Sequence, residues 1–411
     1  MKRLIVLLLL GVAFPVAADS VLSFQDSLQL AVQNNADLRN ARSTQEAAEF
    51  RLRSSYGGFW PQVSGSVTYT DIKTPSPGVE TYSTNLTATQ NLFAGFQDDA
   101  KVQQAQANLE IAQQSLALAR AQLSRDLKVA YAGLLYSQNN VILTQDILRR
   151  LEENLRLVEL KYESGRENKG SYLLTRASLA QGRLDQLQAT QDVVTARTSL
   201  SRAIGRTIDD VRVNGNVPTS DPPVVADFNA IALATPDVRI AIAREKAADA
   251  DITLARSGFY PSVNVSGTTA RQDDKWYPES KSNSVTASVS IPLFSGGRDW
   301  YSTRAAISAL DSVKANREST EQQVLVRLRQ AHAAFVESVE RLKVDREFLD
   351  AAEVRAAITR ARYQNGLVSF DEWDRAESDL IQRQKSYLAS QRDRVTAEAA
   401  WELAQGRGAI S

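Results

Sequence analysis

A chain of 411 residues with one histidine, His332, and no cysteine has few routes to covalent or metal chemistry. Thiolate nucleophiles, disulfides and cysteine-bound zinc are excluded, and a single imidazole does not suit a common transition-metal site or a nucleophile–histidine pair. His332 lies between Ala331 and Ala333 in a helical stretch and reads as structural. The neighbouring carboxylates Glu152 and Glu153 read as the solvated face of a helix rather than an acid–base pair. The densest titratable cluster is Asp371, Glu372 and Asp374, shortly after Gly366. These acids suit attraction of cations; they equally suit the first turn of a helix capped by Ser369, with Glu372 completing a capping box. Elsewhere charge is balanced, with 48 basic and 48 acidic residues, so no basic excess points to nucleic acid. Neither an enzyme nor a cofactor is expected.

Export is expected from the first eighteen residues. Lys2 and Arg3 precede an apolar run from Leu4 to Phe14, and Val16-Ala17-Ala18 places small residues before Asp19. Eleven apolar residues are too short for a spanning helix, which takes about twenty. Nothing later resembles such a helix, so any membrane portion must be a closed barrel of strands.

The remainder is a duplicated unit. Gly58-Phe59-Trp60-Pro61 recurs as Gly258-Phe259-Tyr260-Pro261, and Leu92-Phe93-Ala94-Gly95 as Leu293-Phe294-Ser295-Gly296. Tyr162-Glu163-Ser164-Gly165 recurs as Tyr363-Gln364-Asn365-Gly366, all at a near-constant offset of about 200 residues. The units span 19–205 and 237–411, joined by a proline-bearing connector at 206–236. Each begins with a helix, Asp26 to Ser55 and about Asp237 to Ser257. Two alternating segments follow, expected as strands over 62–70 and 82–91, then 262–270 and 284–293. Their lengths suit tilted membrane strands. Phe59, Trp60, Phe93, Phe259, Tyr260 and Phe294 lie at the strand ends, where they suit either a membrane-interface girdle or the caps of a soluble hairpin.

After each strand pair comes a run of 66 residues, Gln97 to Tyr162 and Arg298 to Tyr363, broken only by Gly133. Either run predicts a helix of about 100 Å. Leu109, Leu116, Leu123 and Ala130 recur every seven residues, with Ala112 and Ala119 on a second seam, as in a coiled coil. Tips near 163–171 and 364–370 turn each helix into a returning partner, about Ser171 to Ile204 and Ser369 to Gln405. The first tip reads as two residues longer than the second.

Four strands cannot close alone, and an open edge is not tolerated in lipid. Two copies would give a filled eight-stranded barrel, three a twelve-stranded one with room for water. In the order and duplication of these motifs the chain resembles the TolC-like outer-membrane efflux proteins over nearly its whole mature length. The resemblance implies a mixed α/β membrane protein of mostly long α-helices, four transmembrane strands per chain and a trimeric twelve-stranded β-barrel continued by a periplasmic α-barrel. It implies a homotrimer in outer-membrane lipid that works with a periplasmic adaptor and an inner-membrane pump of ABC or RND type, as the outer channel of an efflux or type I secretion system. It places a periplasmic gate at acids six and nine positions after the tip glycine. Those positions are Glu372 and Arg375 here, so the pattern keeps one acid, with Asp371 and Asp374 alongside. Tyr162, Gly165, Arg166 and Lys169, with Tyr363 and Gly366, are candidates for contact with the adaptor, Arg166 and Lys169 serving equally as a solvated loop. The competing expectation is a secreted periplasmic coiled-coil protein, structural or adaptor in role, without a pore.

Overall fold

The computed structural model describes residues 21–73, 79–207 and 211–410. The expected leader at 1–18 lies outside them.

The chain opens with β1 (Val21–Leu22), α1 (Phe24–Asn34) and α2 (Ala36–Ser55). The single helix expected over 26–55 is therefore two. Asn35 divides them: its backbone N–H closes α1 on Ala31, while its extended backbone lets Oδ1 accept from Leu38 N at 3.0 Å and cap α2. β2 (Gln62–Ile72) and β3 (Val79–Ala94) form a hairpin. They lead to α3 (Gln97–Glu163), α4 (Lys169–Ile204), β4 (Arg212–Val213) and α5 (Phe228–Ala234). The second unit follows as α6 (Pro236–Arg256), β5 (Ser262–Asp273), β6 (Ser280–Ser290), α7 (Arg298–Gln364) and α8 (Phe370–Ala404).

Three strands run past their expected ends, because flanking residues of either polarity continue the ladder once its register is set. The last strand does the opposite at one end. It was expected to reach Leu293 and stops at Ser290, opposite Ser262, the first residue of β5; β3 runs past the equivalent point because β5 pairs with it there. The strands make one antiparallel sheet in the order β2-β3-β5-β6, so β2 and β6 are edges without partners within the chain.

At 67 residues each, α3 and α7 are about 100 Å long. α3 packs on α4 and α8, and α8 packs on α7, so the hairpin helices lie in the order α4-α3-α8-α7. Of the heptad positions, Leu116 and Leu123 are buried, as is Ala112 on the second seam. Where the hairpins meet α1 and α2, Phe24, Leu127, Leu134, Leu200 and Ile204 form the largest apolar cluster. Tyr131 sits in it fully buried and directs its hydroxyl to Leu22 O at 3.1 Å and Asn214 O at 2.6 Å, tying the β1/β4 pair to α3.

α4 ends at Gly205 with φ +78°, pressed on the α1/α2 junction: a Cβ there would lie 2.5 Å from Asn34 O. Gly205→Ala is expected to cost about 2–4 kcal/mol through left-handed strain and overlap. Gly57→Ala, facing open space, should cost well under half of that; thermal unfolding followed by circular dichroism at 222 nm compares the two.

Candidate functional site

Residues paired directly across neighbouring strands share a face, so the register sorts the sheet into two surfaces. One carries Val63, Gly65 and Val67 of β2, Leu86 and Ala88 of β3, Val263 and Val265 of β5, and Val285, Ala287 and Val289 of β6. The other carries Ser64, Ser66 and Thr68, then Asn85, Thr87 and Thr89, then Asn264, Ser266 and Thr268, then Ser284, Thr286 and Ser288. Across it Thr87 Oγ1 and Thr268 Oγ1 lie 3.2 Å apart. One face thus suits hydrocarbon and the other water, a division a soluble hairpin cap does not need.

Aromatic rings bracket the apolar face. Near the long loops Tyr69 and Tyr82 lie 4.9 Å apart between centroids, with Trp276 5.6 Å from Tyr82. At the other end Phe96 meets Phe93 at 5.3 Å and Tyr260 at 5.5 Å, and Phe59, Trp60, Phe259 and Phe294 are exposed. Trp60 and Tyr69 are nine residues apart. At about 3.3 Å per residue and about 40° of tilt that is roughly 23 Å, close to the apolar height of an outer-membrane barrel.

Strand gives way to helix at a joint used twice. Gly58 and Gly258 lie against the first-turn aspartates Asp98 and Asp299, so close that a Cβ on either would come within 2.8 Å of a carboxyl atom. Asp98 accepts from Asn91 Nδ2 at 2.7 Å, and Asp299 is buried beside Arg298. Phe96, the N-cap of α3, has a left-handed backbone with φ +68°, and its counterpart is Gly297.

The tips lie at the far ends of the hairpins. Both loops hold five residues, 164–168 and 365–369, so the expected extra length in the first is absent. Asn168 is the cap there, accepting from Ser171 N at 2.9 Å, as Ser369 accepts from Glu372 N at 3.3 Å. The returning helix therefore starts at Lys169, two residues before the expected Ser171. Gly165 and Gly366 take φ of +71° and +75° and close the helices with paired 6→1 and 5→2 bonds. Each tip carries a ring stack across its turn, Tyr162 on Tyr172 at 5.4 Å and Tyr363 on Trp373 at 4.5 Å.

The tips also hold each other. Tyr363, 2% exposed, donates its hydroxyl to Glu167 Oε2 at 2.8 Å, and the Lys161 ammonium lies over its ring and donates to its carbonyl. Burial, then the Glu167 carboxylate, pushes the Tyr363 phenol well above its usual range. Deeper in, Arg360 forks onto Glu377 at 3.0 and 3.2 Å and reaches Asn154 Oδ1 at 3.0 Å. Arg166 and Lys169 are exposed. Asp371 and Glu372 are exposed while Asp374 is half-buried. Burial, Asp371 and Glu377 hold the Asp374 carboxyl above the usual carboxylate range. Only the Ser369 arm of the expected capping box forms, which leaves the Glu372 carboxylate facing water.

His332 is held by packing: Nε2 lies 2.9 Å from Pro223 O, and the ring meets Phe228 and Trp401 edge-on. Among the described residues no acid, histidine and cysteine cluster could hold a metal ion, and no helix is long and apolar enough to cross a membrane.

A two-faced sheet of membrane height, set on helical hairpins of about 100 Å, is the architecture of an outer-membrane channel wall. Residues 27–206 and 229–407 match the family model described as outer membrane efflux protein. The chain belongs to that family, and is an outer-membrane protein. The toluene efflux pump outer membrane protein TtgF of Pseudomonas putida is 24% identical, over 93% of this chain and 83% of its own. The alkaline protease secretion protein AprF of Pseudomonas aeruginosa is 22% identical, over 90% and 79%. Among solved structures, the outer membrane protein VceC of Vibrio cholerae superposes with a TM-score of 0.83 at 20% identity, over 94% of this chain and 96% of its own.

Two outcomes follow for the tips. Arg360→Ala leaves Glu377, 4% exposed, without its cation and is expected to cost about 3 kcal/mol in denaturant unfolding, with Arg360→Lys losing less. For Asp374 the folded pKa lies above the unfolded one, so the ionised carboxyl lowers stability at neutral pH, and that penalty vanishes as pH falls below the unfolded value. Asp374→Asn should therefore raise the midpoint of thermal unfolding at pH 7 and leave it level with the parent near pH 3.

Proposed function

We propose that three copies of this chain form a passive conduit from periplasm to exterior, the outer channel of a tripartite efflux or type I secretion system. The carrying observation is the four-stranded sheet with an apolar face, a hydroxyl face and two unpartnered edges. Twelve strands leave an aqueous bore lined by Ser, Thr and Asn, whereas eight would fill with side chains. The helices of the same ring continue the bore for about 100 Å into the periplasm. In this reading the strand-end aromatics rest at the membrane interfaces, and the tips face a periplasmic adaptor linked to an inner-membrane pump of ABC or RND type. Arg166 and Lys169, both exposed, suit contact with that adaptor, beside Tyr162, Gly165, Tyr363 and Gly366. Asp371, Glu372 and Asp374 crowd nine carboxylates around the periplasmic mouth and favour cations there.

The protein purified in detergent is expected at three times the chain mass, and it should conduct ions across a planar bilayer. A monomer that stays soluble without detergent and never conducts would favour a pore-less coiled-coil protein. Replacing Asp371, Glu372 and Asp374 by alanine should lower the preference for potassium over chloride by about threefold, since the fixed charge is removed; an unchanged reversal potential removes them from the gate.

A further inference from the structure

Gly95 and Gly296 occupy equivalent places in the two units and share a left-handed backbone, with φ of +62° and +64°. Their surroundings differ. A Cβ on Gly95 would lie 2.7 Å from both Ser257 O and Tyr260 Cβ, because β3 and β5 pair within the chain and bring the two units together there. Around Gly296 there is open space. The repeat makes Gly57 and Trp60 the counterparts of Ser257 and Tyr260, and Trp60 is 69% exposed.

The equivalence of the two units also sets a register. Within the chain Thr87 pairs with Thr268. Leu92-Phe93 recurs 201 residues on, and Phe59-Trp60-Pro61 is matched 200 residues on. Transferring the β3/β5 pairing to the two free edges therefore sets Ser288 of β6 opposite Thr68 of β2. The transfer carries an internal check. It also pairs Val289 with Val67 and Ala287 with Tyr69, all on the apolar face, and leaves Ser288 and Thr68 together on the hydroxyl face. A shift by one residue would mix the faces.

We propose that the free edges β6 and β2 meet between copies in this register. Ser288 lies opposite Thr68 of the next copy, and Gly296 seats against Gly57 and Trp60 of the next copy. The seam rests on the trimeric reading above and specifies its contacts. It is antiparallel, as every pairing in the sheet is. It continues down the helices: α3 packs on α8 within the chain, so α7 packs on α4 of the next copy, where Val344, Phe348, Leu184 and Leu187 are exposed on their own.

A chain without cysteine makes the test direct. The full-length protein carrying S288C and T68C together, purified in detergent and oxidised, should run as covalent dimers and trimers on a denaturing gel. The hydroxyl oxygens of the equivalent internal pair lie 3.2 Å apart, close enough for a disulfide at that position. Pairing S288C with S66C or T70C, slips of two residues on the same face, should give about tenfold less covalent product. The internal pair T87C and T268C, oxidised in parallel, reports that the sheet has folded and the oxidant has reached it. Cross-linking that favours S66C or T70C overturns the register while leaving the trimer standing. No covalent product from any pair, with the internal control oxidised and the detergent mass that of a monomer, overturns both.

Discussion

The unsatisfied backbone along β2 and β6 governs the rest of the molecule. In hydrocarbon an unpaired N–H or carbonyl has no water to turn to and costs several kcal/mol, so two strand edges of eleven residues each cannot remain open. The folded chain is for this reason an incomplete object. Its sheet is coherent, its helices pack, yet both lateral margins end on groups that need a partner. Exposed apolar residues on α4 and α7, the outermost helices, follow the same lateral margins.

Duplication is how one polypeptide makes a wall segment wide enough to be repeated. Each unit repeats strand, strand, helix out and helix back, and the glycine–aspartate joint stands at both transitions from sheet to helix. The joint lets a strand end turn into a helix start without a long loop. The units diverge where they have different neighbours. Phe96 stands in a strained left-handed position and packs its ring on Tyr260, while Gly297 takes the equivalent position at the free margin. The tips diverge as well, since the acids at Asp371, Glu372 and Asp374 have Gly170, Ser171 and Leu173 as their counterparts.

Much of this was legible in the residues because the signals are periodic. Alternation by two marked the strands, the long absence of proline and glycine marked α3 and α7, and the offset near 200 exposed the duplication. Local chemistry with two solutions was harder. Asn35 interrupts what reads as one helix, since its side chain both ends and starts a helix in the space of a residue. Asn168, the cap of α4, starts that helix at Lys169 rather than at Ser171. The end of the last strand was hidden too, since Val289 and Ile291 keep alternating past the point where β5 runs out opposite Ser290. The ties between tips were out of reach. Arg360 meets Asn154 from 206 residues away, and Tyr363 meets Glu167 from 196, distances over which no local pattern carries information. Within each tip the signal was stronger: alignment at 201 residues matches Tyr162 and Tyr172 with Tyr363 and Trp373, the two ring stacks.

The hydroxyl face of the sheet holds no ionisable side chain between Ser64 and Thr70, between Thr81 and Thr89, or along its β5 and β6 portions from Asn264 to Gln272 and from Ser282 to Ser290. Neutral dipoles reorient toward whatever passes and favour neither sign. In a conduit built from this wall, dissolved salt has no fixed charge to screen over that stretch, so an anionic and a cationic solute of equal size meet the same resistance there.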